Sequence, residues 1–185
     1  MENNIGEKEA ISLFKNSYTF GAYTGLGLLI VHYILYISGA LLESSFMGIF
    51  IYIVLIVGMS YGTTVYRNKA LNGFINYSKS LKSCTMIGFF ASLFIGLFYF
   101  LVFYFDASFI DKQIDAAYKQ LSQISFIKEN DMELAIEKIK EQTPFGAFMS
   151  NFISFTLIST FLGLLISIFV KKKDNSFESN FKETE

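Results

Sequence analysis

Charged residues fall in blocks along the chain, and four long stretches between them carry none: 16–42 (27 residues), 44–66 (23), 83–105 (23) and 143–170 (28). An α-helix rises about 1.5 Å per residue, so about 20 residues match a hydrocarbon core of roughly 30 Å. Each stretch can cross a bilayer once as a helix and is too short to cross twice. None carries the polar face that a helix needs on the surface of a water-soluble core. The pattern predicts four transmembrane helices, near 19–42, 45–66, 83–105 and 145–170.

Between the third and fourth stretches the pattern changes. Ile110, Ile114, Ala117, Leu121 and Ile124 follow one another at steps of 4, 3, 4 and 3, a narrow helical stripe of coiled-coil kind. Met132, Ile136 and Ile139 make a second set, and Asn130 with Glu133 reads as an N-cap box opening it. Two short amphipathic helices are therefore expected outside the membrane, about 107–125 and 131–142. Helix nucleation is costly, so each is marginal alone in water. They are stable only when packed on each other, on the membrane surface or on a partner. Thr143-Pro144 then caps and opens the last span, with Pro where its missing N–H costs little.

The fold class that follows is an all-α integral membrane protein. It is a four-transmembrane-helix bundle with an extracytoplasmic amphipathic helical hairpin between helices 3 and 4. The chain divides into an N-terminal segment (1–18), helices 1 and 2 (19–66), a basic loop (67–82), helix 3 (83–105), the hairpin (106–142), helix 4 (143–170) and a C-terminal tail (171–185).

Composition agrees. Of 185 residues, 52% are hydrophobic and only 17% charged, against about 25% charged in average soluble chains. The net charge of −1 excludes an electrostatic case for nucleic acid or for strong anionic-lipid binding by the chain as a whole. One Cys excludes an internal disulfide or a Cys cage for zinc or iron–sulfur, and one His excludes a multi-histidine metal site. No cofactor is expected. The first span is not read as a cleaved signal peptide, because its leader Glu7-Lys8-Glu9 is not cationic and its apolar run exceeds the usual core of about 7–15 residues.

Ten of the fifteen basic residues flank the spans on the side of the two termini: Lys8, Lys15, Arg67, Lys69, Lys79, Lys82, Lys171, Lys172, Lys173 and Lys182. The positive-inside rule therefore places both termini and the 67–82 loop in the cytoplasm. The hairpin has five lysines among eight acids. Tyr18, Tyr66, Tyr77 and Tyr104 are expected at the membrane boundaries, where a phenol has an apolar body and a wet hydroxyl. Tyr33, Tyr52 and Tyr61 lie deeper and are expected to bond across the bundle. Small residues at spacings of four supply the close-packing stripes that hold helices together in lipid. They are Gly21 and Gly25, Gly58 and Gly62, Gly88, Ser92 and Gly96, and in the last span Gly146, Ser150 and Ser154 followed by Ser159, Gly163 and Ser167.

Candidate chemistry is sparse. His32 is the one titratable side chain besides Tyr and Cys well inside a span. Such a residue either marks a proton or solute path or is a neutral imidazole bonded to a Tyr or Ser on a neighbouring helix. A relay would need a carboxylate partner, and no Asp or Glu lies within a span; Glu43 and Asp106 are expected as solvated boundary residues. Catalytic triads, metalloprotease motifs and phosphate-binding loops are missing, and Cys84 reads as a small core or interface residue. The basic loop mixes Arg67, Lys69 and Lys79 with Leu71, Phe74, Ile75 and Tyr77, with Gly73 giving the turn. It is either an interfacial segment or a recognition element for a partner or a lipid headgroup.

This arrangement resembles a bacterial membrane family known as domain of unknown function 4199, found chiefly in Bacteroidota. The matching pieces are Arg67, Lys69, Gly73, Ile75, Tyr77 and Lys79 leaving span two, the glycines of span three, the amphipathic loop, Thr143-Pro144, and Lys171-Lys172-Lys173. Asn72 and Thr143 stand where relatives often carry Gly and Asn. The resemblance implies four helices and an inner-membrane address, and brings no catalytic residues. The expected function is that of a non-enzymatic inner-membrane protein acting through protein or lipid interaction. The alternative is a small oligomeric transporter or channel component with His32 lining a wet cavity. The expected partners are the lipid bilayer and either a second copy of the chain or another membrane protein, and no nucleic acid.

Overall fold

The computed structural model describes residues 12–42, 45–124 and 129–172. It is all-helical: α1 (Leu13–Ile37), α2 (Ser45–Ala70), α3 (Tyr77–Phe105), α4 (Ser108–Leu121), α5 (Glu129–Lys140) and α6 (Pro144–Val170). Helices α1, α2, α3 and α6 are each long and apolar enough to cross a membrane. Glu7-Lys8-Glu9, Glu43 and Lys173 lie outside the described residues.

The helix ends are set by caps, and they differ from the ends of the uncharged stretches. Ser12 accepts a hydrogen bond from the Lys15 N–H and starts α1 before the expected 19. That helix stops at Ile37, where Gly39 takes a left-handed backbone (φ +76°). The expected 67–82 loop is mostly helix, with only 71–76 between α2 and α3. Asn72 and Gly73 turn the chain with φ of 50° and 89°, and the Gly73 N–H returns to the Arg67 carbonyl at 2.9 Å. Asn76 then caps α3 by accepting from the Lys79 N–H at 2.9 Å. Absence of charge marks what hydrocarbon tolerates, whereas caps mark where the hydrogen-bonded ladder ends. A 29-residue α3 is about 44 Å long, so it projects beyond a core of roughly 30 Å.

Helix α3 is the hub. It packs against α1, α2 and α6 along its length and against α4 at its end, while α1 also packs on α2, and α2 on α6. Leu28, Leu55, Met59, Cys84, Ile87, Ala91 and Ile95 form the centre of the bundle. Lipid tails are as apolar as Leu, so these contacts depend on close fit more than on escape from solvent.

The small residues provide that fit, and most of the expected stripes face inward. Gly21 lies against Phe90 and Ile87 of α3, and Gly25 against Phe94. Gly58 lies against Thr24, and Gly62 against Phe20 and Ile87. Gly88 meets Ser159, Gly96 meets Phe148, and Gly163 meets Cys84. The exception is the first half of the α6 stripe: Ser150 and Ser154 are exposed. The face of α6 that meets α3 there carries Ala147, Phe148, Phe152 and Phe155 instead.

Three deep tyrosines turn out differently from expectation. Tyr33, Tyr52 and Tyr61 face outward, Tyr33 at 55% exposure. The inward stripe of α1 runs through Gly21, Thr24, Gly25, Leu28, His32 and Leu35, and Tyr33 is one step off it. Tyr18, Tyr77 and Tyr104 are exposed near helix ends as expected, whereas Tyr66 is buried.

The hairpin covers its own stripe. Helices α4 and α5 pack on each other, with Ile110, Ile114, Ala117 and Leu121 partly covered and Ile136 buried, while Ile124 at the end of the stripe stays exposed. Asn130 is a residue of α5 and not its cap, because the helix begins one residue earlier at Glu129. Thr143 caps α6 by accepting from the Gly146 N–H at 3.0 Å, with Pro144 in the first turn.

Close packing at glycine makes a stability prediction. A methyl group on Gly62 would come within 2.7 Å of Phe20 Cβ and 2.8 Å of Ile87 Cδ1, whereas one on Gly48 would meet nothing within 4 Å. Gly62→Ala should destabilise the bundle by about 1–3 kcal/mol. Gly48→Ala should be neutral or slightly stabilising. Thermal melts in one detergent compare them; equal melting temperatures would contradict the packing described.

Candidate functional site

Polar side chains gather at several levels of the bundle. At the end that carries Lys15, Lys69 and Lys171, the α2–α3 connection is clipped to the end of α6. Ile75 and Lys172 exchange two backbone hydrogen bonds, each 2.9 Å, as an isolated antiparallel bridge. The Arg67 guanidinium donates from Nη1 to the Val170 carbonyl at 2.9 Å and from Nε to Asn68 Oδ1 at 3.1 Å. The Val170 carbonyl belongs to the last turn of α6, where carbonyls lack helical partners and a cation is favourable. Tyr77 donates its hydroxyl to the Leu164 carbonyl at 3.3 Å, and the Lys172 ammonium lies 5.8 Å from the centroid of the Phe74 ring. Lys69 is exposed on the last turn of α2. Arg67 and Tyr77 thus converge on α6, and Lys69 does not join them.

Just inside that end lies a buried polar seam. Thr63 donates to Ser83 Oγ at 3.1 Å and sits 3.3 Å from Cys84 Sγ, with the Ser167 hydroxyl 4.0 Å from the same sulfur. Asn16 donates its amide to the Gly62 carbonyl at 3.0 Å. One level deeper, Ser92 and Thr156 share a 2.7 Å hydrogen bond between α3 and α6. Such bonds hold helices together in lipid at close to 1 kcal/mol each. Cys84 is fully buried, as a small core residue.

His32 lies in the half of the bundle nearer the hairpin. It is buried, and its Nδ1 lies 2.8 Å from the Leu28 carbonyl of its own helix, one turn back. A carbonyl only accepts, so Nδ1 carries the proton in this arrangement. The ring stands edge-on to Phe98, Tyr99 and Phe155, with centroids 5.6, 6.0 and 5.6 Å away. It is a packing piece where α1, α3 and α6 meet. Among the described residues His32 makes no bond to a Tyr or Ser of another helix; its Nδ1 is taken by the i−4 carbonyl of its own helix.

At the hairpin end, Asp106 organises the exit from α3. Its carboxylate accepts from the Tyr36 hydroxyl at 2.7 Å, from the Ser108 N–H and hydroxyl at 3.0 and 2.6 Å, and from Lys112 Nζ at 3.4 Å. Beside it Phe109 is buried among Tyr36, Tyr99 and Phe103. Ser108 and Tyr36, helped by Lys112, hold the Asp106 carboxyl down to about 2. Asp106 is therefore more than the solvated boundary residue expected: still partly open to solvent, it is a latch between α1, α3 and α4. Sequence reasoning missed the latch because Tyr36 and Asp106 lie seventy positions apart. The available signal was an Asp followed two residues on by Ser, a local capping pair.

Among the described residues, no three His, Cys, Asp or Glu side chains gather in a group that could hold a metal ion.

The family model described as "Protein of unknown function (DUF4199)" matches residues 19–172. The chain belongs to this family. The match runs from within the first helix to the bridge residue Lys172, so the clip, the His32 contacts, the latch and all of the seam but Asn16 fall within the family region. No curated protein and no solved structure matches the chain.

The latch has a pH signature. Asp106 gains its partners on folding, so its value in the folded chain lies below the ordinary 3.8. Its stabilisation is complete above that value and is lost as pH falls toward about 2. The expected size is roughly 1 kcal/mol after solvent screening. Melting of detergent-solubilised protein should therefore fall more steeply between about pH 4 and about pH 2.5 for wild type than for Asp106→Asn. Parallel curves for the two would show that the carboxylate does no work in the fold.

Proposed function

We propose that this is a non-enzymatic protein of the bacterial inner membrane whose aqueous hairpin, α4–α5, is the surface that meets a protein partner. The observation that carries this reading is the latch. A hairpin of two short helices is marginal by itself in water. Here Phe109 plugs it into the bundle, and Asp106 ties it to Tyr36, Ser108 and Lys112. A surface held in a fixed pose binds with less ordering cost than a mobile one. Tyr118 and Leu134 stand exposed on the hairpin, one on each helix, and a large aromatic is the kind of side chain that anchors protein interfaces.

The residues that could have done chemistry support the non-enzymatic part. His32 is enclosed by rings, Cys84 lies in a seam between helices, and Arg67 and Asp106 are engaged with other elements. The carrier alternative required His32 beside a wet cavity, and the ring is packed against Phe98, Tyr99 and Phe155 instead. Orientation rests on charge. Lys15, Arg67, Lys69, Lys79, Lys82, Lys171 and Lys172 collect at one end of the spans, which supports a cytoplasmic position for that end and for both termini. The hairpin then faces the periplasm.

A photo-crosslinking residue placed at Tyr118 or Leu134, in cells expressing the full chain, tests the reading. The expected result is a discrete cross-linked band, identified by mass spectrometry as another membrane or periplasmic protein or as a second copy. The same residue at exposed Tyr104 serves as a lipid-facing control. Cross-linking to lipid alone at all three positions would overturn the proposal.

A further inference from the structure

Helices α2 and α6 run in the same direction toward the basic end and leave a groove of about 460 Å³ between them. On α2 its wall is Ile56, Ser60, Thr64 and Arg67, a stripe at spacings of 4, 4 and 3 along one helix face. The small side chains Ser60 and Thr64 create the space. On α6 the wall is apolar, and Phe169 stands 85% exposed at its rim. The groove opens sideways, toward where lipid would lie.

The charge at the groove's own end, not the net charge of −1 that speaks against general attraction to anionic lipid, decides the occupant. Arg67 closes one end of an otherwise uncharged groove. A guanidinium has five N–H groups, and two of the Arg67 set are engaged, by Val170 and Asn68. Three are left for an incoming acceptor, on a side chain whose position is already fixed by the Val170 carbonyl. Lys69, Lys171 and Lys172 are exposed at the same end, and no acid stands there among the described residues. From Ile56 to Arg67 the stripe rises about 16 Å, close to half of a hydrocarbon core of roughly 30 Å. A cation at headgroup level above a one-leaflet apolar groove matches a phosphate carrying an acyl chain.

We infer that the α2–α6 groove is a binding site for an anionic phospholipid, its phosphate on Arg67 and one acyl chain laid along Ile56, Ser60 and Phe169. A fixed, forked guanidinium suits phosphate oxygens better than a flexible ammonium does. This goes beyond the hairpin reading and fails separately from it, because lipid preference reads the groove and cross-linking reads the hairpin.

The test uses the full chain, stripped of lipid in a mild detergent. It is titrated with dioleoyl phosphatidylglycerol, with dioleoyl phosphatidylcholine, and with glycerol phosphate as a headgroup lacking chains. Native mass spectrometry counts bound molecules, and melting curves confirm that each variant is folded. Wild type should retain one phosphatidylglycerol at about tenfold preference over phosphatidylcholine, and no glycerol phosphate. Ser60→Phe fills the groove without touching Arg67 and should abolish retention; Leu165→Trp fills it from the other wall should Ser60→Phe fail to fold. Arg67→Lys should keep the chain contact and weaken the preference. Equal retention of the two lipids, retention undiminished in a folded groove-filled variant, or a dimer in place of the lipid adduct would each overturn the site.

Discussion

In hydrocarbon, helices gain little from hiding apolar surface, so the structure depends on how closely α3 lets its neighbours approach. Each seam on α3 contains a residue with almost no side chain. Gly21 brings α1 onto Phe90, Gly88 admits Ser159 of α6, and Gly163 of α6 admits Cys84. Close approach then places hydroxyls of adjacent helices within bonding reach, as in Thr63 with Ser83 and Ser92 with Thr156. Where backbones do not come close, a large side chain fills the space: His32 of α1 reaches Phe155 of α6 beside α3.

The two ends of the bundle are fastened by different physics. At the basic end the chain uses backbone groups: the Ile75–Lys172 bridge and the Val170 carbonyl held by Arg67. At the hairpin end it uses a carboxylate with four donor contacts and a buried phenylalanine. Side chains of chemical interest are thus committed to holding elements in place. What remains open is surface: an aqueous hairpin in a fixed pose and a lateral groove with a cation at its mouth.

Much of this fold could be read directly. Four charge-free stretches located four spans, and Thr143-Pro144 located the start of α6. The stripes at Gly21, Gly58 and Gly88 pointed to real seams because any helix face of small residues permits close approach. The failures share a cause. Depth along the span points Tyr33, Tyr52 and Tyr61 inward, but whether a residue faces in or out depends on rotation about the helix, which a nearly uniform apolar run conceals. Asp106 was assigned by its place at a boundary, and its partner Tyr36 could only be found in three dimensions. The 67–82 loop was assigned by charge, although Gly73 and Asn76 already carried the signals for a turn of six residues. Within the candidate sites, Arg67 and Tyr77 were singled out from the sequence, but their acceptors on α6 are backbone carbonyls that leave no trace in residue identity.

Everything else in the bundle follows from α6 lying directly on α3, with Gly163 against Cys84. The chain has one cysteine, so Gly163→Cys creates a single pair. A Cβ built on Gly163 lies 3.2 Å from the Cys84 Cβ, close to the spacing that a disulfide bridges. Mild oxidation in native membranes, followed by maleimide labelling in denaturant, is the most direct measurement. Rapid intrachain bonding and loss of both labelling sites are expected. Two thiols that stay fully labelled in the well-folded variant, or that join only between chains, would contradict it.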